Sequence, residues 1–155
     1  MKFSWMDYAL EDTVESWIDE ESKSLTGLSE GFHAFFDYWK DNEEQDSMYN
    51  ENFWCKIISK DEQPLAVIAF GLWDDSINIM ELILMQCDRN KGYGPQIIQE
   101  LLDESQWICG YPILRANTSI LEHNIPAQKA FKKVGFKFQY ADEDLGIWHY
   151  TYIKQ

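Results

Sequence analysis

The apolar positions of the first forty residues follow a helical period. A short strand is predicted over 2–6 and an acidic helix over 7–21, because apolar residues recur there at intervals of three and four. Gly27 interrupts this pattern, and a second helix is predicted over 29–42. The two apolar faces consist of Leu10, Val14, Trp17 and Ile18 in the first helix and of Phe32, Phe35, Phe36 and Trp39 in the second.

In the middle of the chain the period changes to one typical of strands. Residues 53–59 and 65–73 are rich in aromatic and branched side chains, and the KDEQP segment between them predicts a hairpin turn. The Asp74–Ser76 segment predicts a second turn, which leads to a strand from Ile77 to about Gln86. These three strands are expected to form a meander.

The last part of the chain alternates between helical and extended patterns. A helix with a buried face of isoleucine and leucine is predicted to end at Gly110, and a second helix over 124–134 is predicted to end at Gly135. Strands are predicted over 112–116, 136–140 and 147–153.

The order of these elements predicts one α/β domain over residues 1–155, in which a mixed sheet has helices on both faces. In the final strand, Tyr150 and Tyr152 alternate with His149 and Thr151. One face of that strand is therefore expected to lie in the core, while the other is available to line a pocket.

Charge narrows the class of partner. With 27 acidic and 13 basic residues the net charge is -14, so nucleic acid and anionic membrane surfaces are not expected as partners. Residues 1–62 carry a net charge of -11 and residues 63–155 carry -3. The acidity serves solubility, and it also favours a cationic partner for the first part of the chain. Three cysteines without a CxxC motif and an N-terminus unlike a signal peptide predict a cytoplasmic protein with free thiols.

The segment Leu82–Pro95, LILMQCDRNKGYGP, joins an apolar strand to a helix through a glycine-containing loop. Glycines at 92 and 94 allow backbone N–H groups to approach a ligand, and the helix N-terminus adds unpaired N–H groups and a positive dipole. Together with Arg89 and Lys91 these groups form an anion site suited to pyrophosphate. The alternative is a turn that only starts a helix. Neither GxxxxGK[ST] nor GxGxxG is present.

Two motifs together resemble those of the GNAT superfamily of acyl-CoA N-acyltransferases. Arg89, Gly92 and Gly94 match its Arg-x-x-Gly-x-Gly signature, and a second motif follows about thirty residues later, as in that family. The second motif consists of Asn124, Ala127, Ala130, Phe131, Gly135 and Phe136. The resemblance covers residues 53–153 in element order and implies a mostly antiparallel sheet with a splayed central strand.

The resemblance also implies that acetyl-CoA is a co-substrate and that no metal is needed. The strand of about Glu81–Gln86 would pair with pantetheine through its backbone, and the loop amides would hold the pyrophosphate. The implied cofactor-binding residues are Leu82, Ile83 and Leu84 in the strand, Arg89, Asn90, Lys91, Gly92, Tyr93, Gly94 and Pro95 in the loop, and Asn124, Phe131 and Lys133 in the later motif.

The implied reaction is direct transfer of an acetyl group to a primary amine, with a small cationic amine or amino-acid-like metabolite as acceptor. Glu81 is the candidate general base, with an exposed strand residue or a salt bridge as the alternative. Phe131 stands where many members of the family have a tyrosine that protonates the leaving thiolate. A non-catalytic acyl-CoA-binding module and a protein or peptide N-acetyltransferase therefore stay open, as does a homodimer.

Overall fold

The computed structural model describes residues 1–8, 12–26, 28, 31–41, 52–73 and 76–154. Its strands are β1 (Ser4–Asp7), β2 (Phe53–Lys60), β3 (Gln63–Trp73), β4 (Ser76–Leu84), β5 (Arg115–Leu121), β6 (Lys137–Asp142) and β7 (Ile147–Ile153). Its helices are α1 (Asp12–Glu15), α2 (Glu20–Leu25), α3 (Phe32–Asp41), α4 (Tyr93–Asp103), α5 (Ser105–Cys109) and α6 (Ile125–Val134). A 3-10 turn at Gln86–Asp88 connects β4 to the loop before α4.

Within the described ranges, seven strands form one sheet in the order β1-β2-β3-β4-β5-β7-β6. Every neighbouring pair is antiparallel except β4 and β5, which run parallel. The expected meander of β2, β3 and β4 is confirmed. Its first turn is tight because Asp61 and Glu62 both adopt positive φ angles, 52° and 67°, which suit a two-residue hairpin. Asp74 and Asp75 lie outside the described residues.

Helices cover both faces of the sheet, as predicted, and each face has its own apolar core. The first cluster joins α4, α5 and α6 to one face and includes Ile68 of β3 and Ile98 of α4. The second cluster joins the N-terminal helices to the other face and includes Val67 of β3, Val14 and Phe32. Alternation along β3 divides its side chains between the two cores.

The predicted single helix over 7–21 is wrong. Asp7 belongs to β1, where it pairs with Lys56, and the helical part is divided between α1 and α2. Asp19 causes the break, because its carboxylate accepts the backbone N–H of Ser22 at 2.8 Å and so caps a new helix. Val14 is buried as expected, whereas Leu10 and the side chain of Trp39 lie outside the described residues.

Two predicted boundaries in the last part of the chain also change. The helix before Gly110 is two helices that meet at Glu104, although Gly110 caps the second one in the left-handed conformation as predicted. The strand predicted over 112–116 is β5, which continues to Leu121. Its polar centre conceals the period in the sequence, while β7 pairs with it along its whole length. The β7 strand has the bounds that were predicted.

Candidate functional site

A cleft opens in the sheet where β4 and β5 separate. The two strands pair from Ser76 with Arg115 to Ile79 with Thr118, and no pair is formed between the described residues of β4 and β5 beyond this point. The Thr118 hydroxyl donates a hydrogen bond to the Ile79 carbonyl at 3.0 Å, at the last paired position. A bulge against β3 leaves Met80 as the extra residue at the place where the strands diverge. The expected splayed central strand is therefore present.

The cleft contains a cavity of about 570 Å³. Its walls are the diverging strands, with Ile79–Leu84 on one side and Thr118–Leu121 on the other. The start of α4 and one side of α6 close it on one face of the sheet, and α2 closes it on the opposite face. A ligand can therefore be contacted from both faces.

Backbone groups of the β4 edge that do not bond to β3 face this cavity, and one of them, the Leu84 carbonyl, accepts a hydrogen bond from Arg89 Nε. The Met85 N–H donates to the Leu65 carbonyl of β3 at 2.9 Å, and backbone groups alternate in direction along a strand. Leu82 and Leu84 consequently direct their N–H and C=O groups away from β3 and toward the cleft. Their side chains pack against the first core, and Ile83 is buried in the second. An extended ligand can add to this edge through backbone hydrogen bonds.

The loop at the mouth of the cavity has the geometry of an anion site. Asn90 and Gly92 adopt left-handed conformations, with φ angles of 61° and 83°, and Gly92 is the cap residue of α4. The N–H groups of Tyr93 and Gly94 have no acceptor within the helix, whereas Pro95 has no N–H to offer. Backbone N–H groups that converge in this way bind phosphate without a cationic side chain.

Gly94 lies where α4 comes close to both β4 and α6. A Cβ at this position would be 3.7 Å from the Ala130 Cβ and 3.9 Å from the Leu84 Cδ1. Alanine is therefore accommodated at ordinary contact distance, and a larger side chain would enter the space between β4 and α6. The second glycine of the loop keeps the cavity open at this point.

Arg89 does not direct a free guanidinium at the anion site. Its Nε donates to the Leu84 carbonyl at 3.1 Å, and one terminal nitrogen donates to the Asp19 carboxylate at 3.0 Å. The other terminal nitrogen donates to the Trp17 carbonyl at 3.1 Å and to the Ser22 hydroxyl at 2.8 Å. The expectation that this guanidinium faces phosphate is replaced by a structural interpretation, in which Arg89 joins the end of β4 to the start of α2.

Asp19 is the acidic partner in this connection. The pKa of Asp19 is lowered to about 2, chiefly by the hydrogen bond from the backbone N–H of Ser22; the Ser22 hydroxyl and Arg89 also lower it, while burial opposes them. Because the folded pKa lies below the ordinary value of 3.8, the stabilisation is complete above about pH 4 and is lost as the pH falls through about 2.

Asp19→Asn tests this stabilisation, since asparagine still caps a helix but carries no charge. We expect the free energy of unfolding of the variant to be about 1 kcal/mol lower than that of the parent at pH 6. This value is discounted for solvent screening, because the Asp19 carboxylate is about one third exposed. Urea unfolding between pH 6 and pH 2 should show the difference closing as the pH falls. A difference that is constant with pH would contradict the charge-dependent role.

Asn124 and its neighbour fasten the other end of α2. Asn124 caps α6, since its Oδ1 accepts the Ala127 N–H at 3.3 Å, and its Nδ2 donates to the Leu25 carbonyl at 2.9 Å. His123 Nε2 lies 2.5 Å from the Ser24 carbonyl. Asn124 therefore lines the cavity while its amide is engaged by the protein. The helix α2 is held over the cleft from the β4 side by Arg89 and from the β5 side by Asn124.

The remaining residues for which the resemblance implied a role in cofactor binding differ in their exposure to solvent. Phe131 is buried, lines the cavity and packs edge-on against Phe136 with ring centroids 5.0 Å apart. Lys133 and Lys91 are exposed, and Lys91 is 4.0 Å from the Asp88 carboxylate. Lys132, in contrast, is over the ring of Tyr150 at 5.8 Å. Lys133 also lines the cavity, so a cation is present near the α6 end of it.

Glu81 lines the cavity on the face of the N-terminal helices. It pairs with Ala69 of β3, which belongs to the second core, so its side chain shares that face. Glu21 of α2 lines the same cavity, and the sequence pattern did not single it out. The cavity therefore has two carboxylates on one face of the sheet and the anion-binding loop on the other.

Ser119 was missed by the sequence analysis. It lines the cavity from β5, and its hydroxyl is 2.8 Å from His149 Nδ1 of β7. The predicted strand ended before Ser119, so no period placed it at a site. Tyr150 is buried, as expected for the core face of β7, and His149 lies on the other face.

Two kinds of feature are absent from the part of the chain that the structure describes. No group of three His, Cys, Asp or Glu side chains is arranged to hold a metal ion. No helix there has both the length and the apolar character needed to cross a bilayer.

Comparison with known proteins finds relatives by structure alone. No protein-family model matches the chain, and no curated protein sequence matches it. A domain from Methanocaldococcus jannaschii superposes with a TM-score of 0.75, at 17% identity, over 99% of both chains. AAC(6')-Ib in complex with ribostamycin and coenzyme A gives a TM-score of 0.74 at 14% identity, over 99% of this chain and 94% of its own.

An aminoglycoside N(6')acetyltransferase from Legionella pneumophila is also similar, with a TM-score of 0.71 and 17% identity over 98% of this chain and 92% of its own. The chain thus has the fold of these structures, and the expected fold class, a mixed and mostly antiparallel sheet with helices on both faces, is confirmed.

Proposed function

We propose that this protein is an acetyl-CoA-dependent N-acetyltransferase whose acceptor is a small cationic amine. The observation that carries the proposal is the open backbone edge of β4 beside the left-handed loop that begins α4. One cavity joins the two, so it offers an extended arm a strand to pair with and a pyrophosphate a cluster of N–H groups. Coenzyme A contains both of these parts.

The chain's residues fit coenzyme A on the α4 and α6 side of the sheet. Leu82 and Leu84 would pair with the pantetheine arm through their backbone groups, and the N–H groups of residues 90–94 would hold the pyrophosphate. Among the exposed cations, Lys91 belongs to the loop itself, and Lys129 and Lys133 of α6 line the cavity. The thioester would then be in the cleft, where backbone N–H groups of the β4 edge can stabilise a developing oxyanion.

The acceptor would enter from the opposite face, between α2 and the sheet. Glu81 and Glu21 line the cavity there and favour a protonated amine over an anion. One similar structure named above is an aminoglycoside N(6')acetyltransferase, and an aminoglycoside carries amino groups. A cavity of about 570 Å³ that must also admit the thioester favours a small acceptor over a folded protein surface.

Glu81 is the proposed general base. An ammonium has no free electron pair, so one proton must leave before the nitrogen attacks the thioester carbon. The Glu81 carboxylate is at the edge of the cleft, on the acceptor face, where it can both attract the ammonium and accept that proton. The nitrogen then forms its bond to carbon, and the carbon–sulfur bond breaks to release coenzyme A.

Thermal unfolding with and without coenzyme A tests the binding part of the proposal. We expect a stabilisation of about 2.7 kcal/mol when the ligand is present at 100 times its dissociation constant, because only the folded state binds. Gly94→Trp should abolish this stabilisation, since the indole would fill the space between Leu84 and Ala130. Absence of any shift at millimolar coenzyme A would contradict the proposal.

Release of free thiol from acetyl-CoA tests the catalytic part. An amine panel should include polyamines, aminoglycosides, amino-acid amides and a basic peptide. Thiol release that depends on a small cationic amine supports the proposed activity, whereas release with the peptide alone would reassign the acceptor class. Binding of coenzyme A without thiol release would favour a non-catalytic acyl-CoA-binding module, the second candidate. The observation that favours this second candidate is Phe131, which has no proton to give to a leaving thiolate.

A further inference from the structure

A serine–histidine pair lies at the edge of the cleft and has no part in the function described so far. Ser119 of β5 and His149 of β7 are directly opposite each other in the antiparallel register. Their Oγ and Nδ1 atoms are 2.8 Å apart, within hydrogen-bond distance. Since Ser119 lines the cavity, the pair connects the cavity to a half-buried imidazole.

The topology brings this pair to the point of reaction. Ile79 and Thr118 are the last paired residues of β4 and β5, so Ser119 is the first residue of β5 inside the cleft. Ala116 and Ile120 belong to the first core, and alternation places Ser119 on the other face of the sheet. Glu81 occupies that same face on β4. The hydroxyl and the carboxylate therefore border the acceptor side of the cleft from its two edges.

Amine acetylation requires a second proton transfer, for which the residues described so far provide no carrier. After attack, the nitrogen carries one proton too many, and the sulfur needs a proton when it leaves. Phe131 cannot supply it. Because nitrogen and sulfur are then bonded to the same carbon, one hydroxyl in contact with that centre can reach both atoms.

We infer that Ser119 and His149 form a shuttle that moves this proton from the nitrogen to the sulfur; the inference rests on the proposed acetyl transfer. The Ser119 oxygen accepts the proton of the attacking nitrogen, while its own hydrogen passes to Nδ1 of a neutral His149 that carries hydrogen on Nε2. When the carbon–sulfur bond breaks, the hydrogen returns from Nδ1 to the serine, and the serine hydrogen passes to the thiolate. Serine and histidine end as they began, and Glu81 holds the first proton.

The surroundings of His149 are suited to an imidazole that changes charge. The ring of Tyr140 on β6 stacks on the imidazole, with centroids 4.3 Å apart and planes 25° apart. Lys137 and Asp142 of β6 pair with residues two positions away from His149 on β7 and share its face. On β5, the neighbours on this face are the uncharged Asn117 and Leu121. The stacked ring holds the imidazole plane, and the two flanking charges are of opposite sign.

Four variants test the shuttle by acetyl-CoA thiol release with the best acceptor of the panel. Ser119→Ala and His149→Ala should each lower kcat roughly 100-fold, the scale of a lost acid–base group, without changing the affinity for coenzyme A. Ser119→Thr keeps a hydroxyl and should retain most of the activity. Thr151→Val is the matched control, because this threonine is on the same face and bonds Asn117 at 2.9 Å, outside the cavity. It should behave as the parent.

Added imidazole gives a readout that a purely structural role would not change. It should restore part of the activity of His149→Ala, since the vacated site is next to an exposed Tyr140, and it should leave Ser119→Ala unchanged. An active parent whose Ser119→Ala and His149→Ala variants keep full kcat would overturn the shuttle and leave the proposed function intact. A parent that binds coenzyme A and acetylates no amine would overturn both.

Discussion

Replacing Arg89 by methionine is expected to lower the free energy of unfolding by about 3 kcal/mol and the melting temperature by roughly 6–12 °C. The guanidinium is only 22% exposed and donates four hydrogen bonds, one of them to a carboxylate. Its loss leaves the acceptors of Trp17, Asp19 and Ser22 without their donor, and half-buried polar groups without partners are a main source of large mutational effects. Differential scanning calorimetry of the ligand-free protein measures the change.

Lys91→Met is the matched control, because it removes a cation from the same loop by the same substitution. The Lys91 side chain is 58% exposed, and its substitution removes one weak contact, the 4.0 Å ion pair with Asp88. We therefore expect the free energy of unfolding to change by no more than about 0.5 kcal/mol. Hydrogen exchange locates the effect. The amides of Lys23 and Thr26, which bond to the carbonyls of Asp19 and Ser22, should exchange faster in Arg89→Met. Equal melting temperatures for the two variants would show that Arg89 does not hold α2.

The local parts of the site could be predicted from the sequence because they depend on neighbouring residues. Gly92 and Gly94 between an apolar strand and a helical period indicate a loop that presents N–H groups, and Asn124 followed by proline indicates a helix start. Each feature is decided within about ten residues. The pairs β2–β3 and β3–β4 were predictable for the same reason, since their turns are short.

The contacts across the cleft could not be predicted in this way. Arg89 was expected to meet phosphate, but its partner Asp19 is 70 residues away in sequence and belongs to a helix whose start was placed too early. Ser119 and His149 are 30 residues apart, and the polar run that contains Ser119 conceals a strand. Such pairs are decided by sheet order and by the packing of α2, for which one sequence carries no local signal.

The same distinction applies to the acidic character of the first part of the chain. The charge difference between the two parts of the sequence predicted an acceptor side that favours cations. In the structure, α2 of the acidic part carries Glu21 to the cavity, and β4 contributes Glu81 on the same face. Only these two of the described acidic side chains line the cavity. The general acidity therefore has a local counterpart at the proposed acceptor side, and Glu81 is the carboxylate at the point where the strands diverge.

Glu81→Gln is expected to lower kcat with a cationic amine by roughly 100-fold or more, while coenzyme A still stabilises the protein to the same extent. Glutamine has the same shape but accepts no proton, and the loop and helix groups proposed to bind coenzyme A are on the other face of the sheet. The deficit should be much smaller with an acceptor amine that is already unprotonated at the assay pH, because the step assigned to Glu81 is then unnecessary. Thiol release with two amines of similar size and different basicity measures this ratio.

Glu122→Gln serves as the matched control, since Glu122 is exposed next to Gly146 and is not part of the cavity wall. Combining Glu81→Gln with Ser119→Ala separates the two proton carriers. If Glu81 takes the first proton and Ser119 the second, an unprotonated amine should relieve the first substitution and not the second. A Glu81→Gln deficit of the same size for both amines would mean that the carboxylate attracts or positions the acceptor. In that case a solvent molecule, and not Glu81, takes the first proton.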